Sequence, residues 1–165
     1  MADKPIWMTG GCLCGEIRYE AQVLLKSAYI CHCRICQKST GQPAEIAVPI
    51  KAGTLRYIKG APRFHASSAH GRRAFCGACG SRLAWQALDP ENDWLSSVNV
   101  GSLDHPADAL AECHIFADRQ LPWYRVNESL PKYREAEGGA LLEKWHEERV
   151  SGRTSRPKPT PPIQP

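Results

Sequence analysis

Three cysteines fall within six residues in the stretch Tyr29-Ile-Cys-His-Cys-Arg-Ile-Cys-Gln-Lys-Ser-Thr-Gly41. Alternate residues of an extended segment point to one side, so Cys31 and Cys33 can converge. The two-residue gap from Cys33 to Cys36 then permits a tight turn around one ion. Three thiolates on so short a segment make a metal half-cage that lacks a fourth ligand. Zinc held by three protein ligands commonly keeps its last position for water or substrate, which is how catalytic zinc is built.

The remaining cysteines sharpen this reading. Cys12 and Cys14 lie in Gly10-Gly-Cys-Leu-Cys-Gly15, and Cys76 and Cys79 in Phe75-Cys-Gly-Ala-Cys-Gly80. Seven of the eight cysteines therefore stand in pairs or a triplet, and seven divides as four plus three. Cys12, Cys14, Cys76 and Cys79 would close a tetrahedral structural site between distant parts of the chain. Cys31, Cys33 and Cys36 would hold an open, catalytic one, making two Zn2+ per chain. Spacing alone leaves other pairings open. Glycines beside these cysteines fit, because metal knuckles need backbone at positive φ. Disulfides are the competing use of paired cysteines and belong to small secreted domains. Residues 1–8 lack the apolar core of a secretory leader. The pairs therefore read as zinc ligands in a cytoplasmic protein.

Other residues carry a functional and a plainer reading. His32 lies between two ligands and should face away from the metal if its segment is extended. Cys113 stands alone and reads as core. His114 could carry a proton near neutral pH, although a strand histidine is more often structural. Arg34 and Lys38 flank the triplet and could pair with the carboxylates of a glutathione-like thiol, or form a solvated rim. Trp85, Trp94 and Trp123 could line a pocket or fill the core.

The elements that must position these groups are mostly short strands. Residues 16–20 alternate polar and apolar side chains, as a half-buried strand does. Residues 45–50, 54–58, 72–75, 81–85, 94–100 and 113–116 have strand composition with turn residues between them. The periodicity of residues 141–150 predicts a helix, with Leu141, Leu142, Trp145 and Arg149 on one face and Glu143, Glu147 and Glu148 in water. Gly138 and Gly139 separate it from the β part. Residues 151–165 hold five prolines and no aromatic, and read as a disordered tail whose Arg153, Arg156 and Lys158 are solvated.

The whole chain sets wide bounds. At 165 residues with 42% hydrophobic content it suits one domain and a tail. No run of about 18 apolar residues exists, so nothing reads as a membrane helix. A net charge of +4 suits a small anion as well as nucleic acid. The basic residues are scattered and form no stripe interleaved with aromatics, which argues against nucleic acid.

Taken together, Gly10-Gly-Cys-Leu-Cys-Gly15, Cys31-His-Cys-Arg-Ile-Cys36 with Ser39-Thr-Gly41, and Arg73-Ala-Phe-Cys-Gly-Ala-Cys-Gly-Ser81 resemble the glutathione-dependent formaldehyde-activating enzymes, a family that also contains centromere protein V. Weaker matches are His114-Ile-Phe, Leu121-Pro-Trp-Tyr124 and Leu130-Pro-Lys-Tyr133. The resemblance covers roughly residues 8 to 133 in the family's order. It implies a mainly β fold, a β-tent of small antiparallel sheets pinned by zinc. It also implies the division into a four-cysteine structural zinc and a three-cysteine catalytic zinc. The expected organisation is a zinc-binding domain over 1–134, a C-terminal helix over 135–150 and a tail over 151–165. The implied activity is that of a carbon–sulfur lyase joining glutathione to formaldehyde and reversing that reaction. The alternative is a non-catalytic zinc-stapled module that binds protein or nucleic acid. A module would fill the open site with a fourth protein ligand, for which Cys113 and His32 are the candidates.

Overall fold

The computed structural model describes residues 4–150; the proline-rich segment read as a tail, 151–165, lies outside them. Eleven strands alternate with short turns among these residues: β1 (Ile6–Gly11), β2 (Arg18–Val23), β3 (Ala28–Cys31), β4 (Glu45–Pro49), β5 (Arg56–Lys59), β6 (Arg63–Ala66), β7 (Gly71–Phe75), β8 (Arg82–Ala87), β9 (Ser97–Asn99), β10 (Ala111–Ile115) and β11 (Lys132–Tyr133). Two α-helices join them, α1 (Arg34–Thr40) and α2 (Gly138–Val150). The chain is thus mainly β, a β-tent with one short C-terminal helix.

The strands form two sheets. One has the order β1-β2-β5; the other has eight strands in the order β11-β10-β3-β4-β9-β8-β7-β6. Neighbours are antiparallel except that β10 runs parallel to both β3 and β11. Isolated bridges between Gly10 and Leu103 and between Val23 and Ile50 tie the small sheet down. Between them lies a core that includes Ile17, Tyr19, Val23, Val48, Ile50, Leu83 and Val98. Apolar burial of this kind is the main driving force for holding such sheets face to face.

Several boundaries differ from the sequence reading for local reasons. The strand expected over 16–20 begins at Arg18, because Cys12 and Gly15 close a turn in which the Cys12 Sγ accepts the Ile17 N–H at 3.2 Å. The strand expected over 94–100 is shortened to Ser97–Asn99. Asp89 caps a 3₁₀ turn over Pro90–Leu95, its carboxylate accepting the Glu91 N–H, and that turn takes Trp94. Phe116 has left-handed φ of 54° and ends β10 one residue early.

Helix α2 is correct as an element but starts earlier. Gly138 and Gly139 are its first residues rather than a separator. A 3₁₀ turn over Glu135–Glu137, closed by the Arg134 N–H onto the Glu137 carboxylate at 2.7 Å, leads straight into it. Its buried face is narrower than expected. Leu141 and Trp145 are buried with Cys113, whereas Leu142 is 39% exposed. Trp145 stacks on Tyr29 at 5.3 Å and donates its indole N–H to Glu112 at 2.9 Å.

Candidate metal centres and the cavity beside them

The first two cysteine pairs meet at one end of the core. The Sγ atoms of Cys12, Cys14, Cys76 and Cys79 all lie within 4.8 Å of one another. Cys12 to Cys14 is 3.5 Å and Cys14 to Cys76 is 3.7 Å. A tetrahedral zinc with Zn–S bonds near 2.3 Å requires sulfur–sulfur edges of about 3.8 Å, so these four fit the ion. Gly15 and Gly80, each directly after a cysteine pair, sit at φ of 74° and 76°. A side chain at either would be strained, as the knuckle reading requires. The Ser81 hydroxyl and backbone hydrogen bonds pull the Cys79 thiol down to about 6.

The three-cysteine set is built differently from the extended segment expected. Cys31 ends β3, Cys33 is the N-cap of α1, and Cys36 lies in the first turn of that helix. The Cys33 Sγ accepts the Cys36 backbone N–H at 3.3 Å, so sulfur takes the place of the usual Ser or Asp oxygen in satisfying an orphan amide. The three Sγ atoms lie within 4.8 Å of one another. Hydrogen bonds from Cys31 and then Cys36 hold the Cys33 thiol far below its ordinary value, while sharing with Cys31 and Cys33 pushes Cys36 up. Three thiols this close cannot all ionise without a cation among them. The donor set thus suits a soft divalent ion such as zinc.

His32 turns away from this set. Its ring is fully buried against His114, the rings 5.1 Å apart and nearly parallel, with Nε2 of His32 2.8 Å from Nδ1 of His114. The Nε2 of His114 is 3.2 Å from the Asn127 carbonyl. A carbonyl only accepts, so the His114 Nε2 carries a proton that it donates to Asn127. Burial pulls His32 down to about 4. Cys113 is buried with Leu141 and Trp145. Among the described residues, neither Cys113 nor any histidine joins the three-thiol group.

Sequence reasoning missed the charged residues behind Cys36. Arg73, on β7, donates from Nη2 to the Cys36 Sγ at 3.3 Å and its Nη1 donates to Ser67. Glu45, 5% exposed, lies 3.8 Å from Arg73 and 3.4 Å from Arg82, and accepts the Asn99 amide at 2.8 Å. Alternation was the available signal. Arg72 and Arg73 are adjacent on a strand, so one must face inward; Arg72 instead packs over Phe64 at 4.3 Å. The expected carboxylate partners divide. Arg34 turns back onto Gln37 of its own helix, whereas Lys38 lines a cavity of about 570 Å³ with Arg73 and Arg82. None of the three tryptophans lines it. Trp123 is 70% exposed, and Trp94 packs edge-on against His146.

The family model described as glutathione-dependent formaldehyde-activating enzyme matches residues 7–119. A crystal structure of a Rhodobacter sphaeroides protein aligns with 76% of this chain and 99% of its own length, at 20% identity and a TM-score of 0.49. No curated protein matches the chain. The matched segment holds all seven paired cysteines and both of the sulfur clusters they form. On that match, the chain belongs to the glutathione-dependent formaldehyde-activating enzyme family.

Proposed function

We propose that the chain is a zinc-dependent carbon–sulfur lyase that joins a small thiol, of the glutathione type, to formaldehyde and reverses that reaction. Cys12, Cys14, Cys76 and Cys79 hold a structural zinc, and Cys31, Cys33 and Cys36 hold the catalytic one. The observation that carries this reading is the incompleteness of the second set. Three thiols converge there, and among the described residues no fourth cysteine, histidine or carboxylate joins them. His32 is committed to His114 and Cys113 to an apolar cluster, so both candidates for the one fourth ligand that a purely structural module would need are engaged elsewhere.

A zinc ion held by the three cysteines would take a substrate thiol at its fourth position and favour its thiolate. In the forward reaction the thiol sulfur bonds to the aldehyde carbon and the carbonyl oxygen becomes a hydroxyl, with the thiol proton balancing it. The protein's own side chains set the surroundings. Cys33 fixes the start of α1, which places Cys36. The Arg73 guanidinium beside the Cys36 sulfur offsets negative charge that three thiolates concentrate there. The paired rings of His32 and His114 hold the Cys31–Cys33 link against β10.

The test is exchange between formaldehyde and its glutathione adduct, followed by NMR with the zinc-loaded protein. The expected result is exchange well above the uncatalysed rate, lost in Cys36→Ala. Uncatalysed rates with glutathione and with a panel of other small thiols would contradict the lyase reading.

A further inference from the structure

A groove of about 500 Å³ lies between α2 and the 3₁₀ turn over Pro90–Leu95. Glu91 of the turn and Glu143 and Glu147 of the helix line it with Trp94, Leu142 and His146, and none of the described residues lining it is a lysine or arginine. Glu143 and Glu147 are both exposed and stand four residues apart, a spacing at which like charges on a helix repel. Lys144, between them in sequence, donates to Glu112 at 3.1 Å and does not line the groove. The apolar surface comes from Trp94, half-buried and edge-on to His146 at 4.9 Å, and from Leu142, 39% exposed.

Directly beyond α2 the chain carries a segment of complementary chemistry. Residues 151–165 contain Arg153, Arg156 and Lys158, five prolines, and no aspartate or glutamate. We propose that residues 153–162 dock in this groove of their own chain, with the basic side chains against Glu91, Glu143 and Glu147 and the prolines against Trp94 and Leu142. Composition alone reads the segment as solvated; what composition omits is an acidic, aromatic-lined groove within its reach. Helix α2 ends at Val150, about 4.5 Å beyond Glu147 along the axis. Gly152 can take the positive φ that a chain reversal needs. The stretch of α2 from Glu147 back to Leu142 is about 7.5 Å long, a span that three residues of polyproline at about 3.1 Å each cover. Proline-rich segments suit aromatic-lined grooves because their extended backbone is fixed before docking. The negative end of α2 favours cations just beyond it, and attachment to the helix keeps the local concentration high.

NMR relaxation of the isotope-labelled full chain tests the docking. At low salt the backbone amides of Arg156, Lys158 and Thr160 should show order parameters above the ~0.6 limit of flexible backbone. About 1 M salt, which screens charges beyond about 3 Å, should lower them. Glu143→Lys with Glu147→Lys, both at exposed positions, should release the segment and move the Trp94 indole N–H resonance. Arg153→Glu with Arg156→Glu and Lys158→Glu should do the same from the other side. Combining the two sets should restore part of the order, which a purely local effect on α2 would not do. The core amides of Val48 and Val98 should stay in place in every variant. Order parameters in the flexible range at low salt overturn the proposal, as does an indole resonance indifferent to the charge of the segment. Order that grows with protein concentration gives the groove to the segment of a second copy and overturns docking within one chain.

Discussion

The Sγ of Cys33 accepts the backbone N–H of Cys36 at 3.3 Å, so one candidate zinc ligand caps the helix that carries the next. Serine is a favoured N-cap and alanine is not. Cys33→Ser should therefore keep α1 while removing one thiolate, giving a folded protein with about one zinc fewer per chain. Cys33→Ala should lose the metal and a further ~1 kcal/mol of stability. Metal analysis and urea unfolding check both, and equal stability of the two variants would remove the capping role.

Cys76, itself buried, lies in the four-thiol group that ties residues 12–14 to residues 76–79. Metal binding in such a group is coupled to folding. Cys76→Ser should largely unfold the domain, in contrast to Cys33→Ser. Comparable melting temperatures for the two variants would show that the structural and catalytic roles are wrongly assigned.

Much of the cysteine grouping was legible because each pair and the triplet sit close in sequence, although spacing left open how the pairs combine. The pairs 12/14 and 76/79 and the triplet 31/33/36 needed only spacing. What spacing cannot give is which strands become neighbours. Arg73 meets Cys36 across 37 positions and His32 meets His114 across 82, both through sheet order. Helix α1 was missed because seven residues rich in polar and β-branched side chains show no apolar period. Strand β6 was missed for a related reason, since all four of its residues are exposed and nothing alternates.

Asp104 gives the clearest pH dependence. Burial raises its carboxyl, but hydrogen bonds from Arg18 and Thr9 outweigh that and hold it below the ordinary value. Arg18 binds both oxygens, with Nη1 to Oδ1 at 2.8 Å. A carboxyl depressed in the folded state releases its proton more readily there than in the unfolded chain. Its contribution is complete above the ordinary aspartate pKa and is lost as pH falls through the lowered one. Asp104→Asn should cost about 2 kcal/mol at pH 7 and progressively less as pH falls below the ordinary aspartate value. A cost independent of pH would show that the pair acts through shape alone.

Docking of α2 rests on Leu141 and Trp145. Trp145→Ala should destabilise by roughly 3 kcal/mol through lost burial and the lost bond to Glu112, with zinc content unchanged. Leu142→Ala, at an exposed position, should stay within about 0.5 kcal/mol of the parent. Equal losses at both positions would mean that the helix packs by its other face.

The central claim is that the three-cysteine centre is open to a substrate thiol. Cobalt in place of zinc makes the centre visible through its thiolate charge-transfer bands. Addition of glutathione to the cobalt protein should shift those bands towards a four-sulfur pattern, S-methylglutathione should not, and Cys36→Ala should abolish the response. A spectrum unchanged by glutathione and by other small thiols, together with four protein ligands at that metal, would contradict the account.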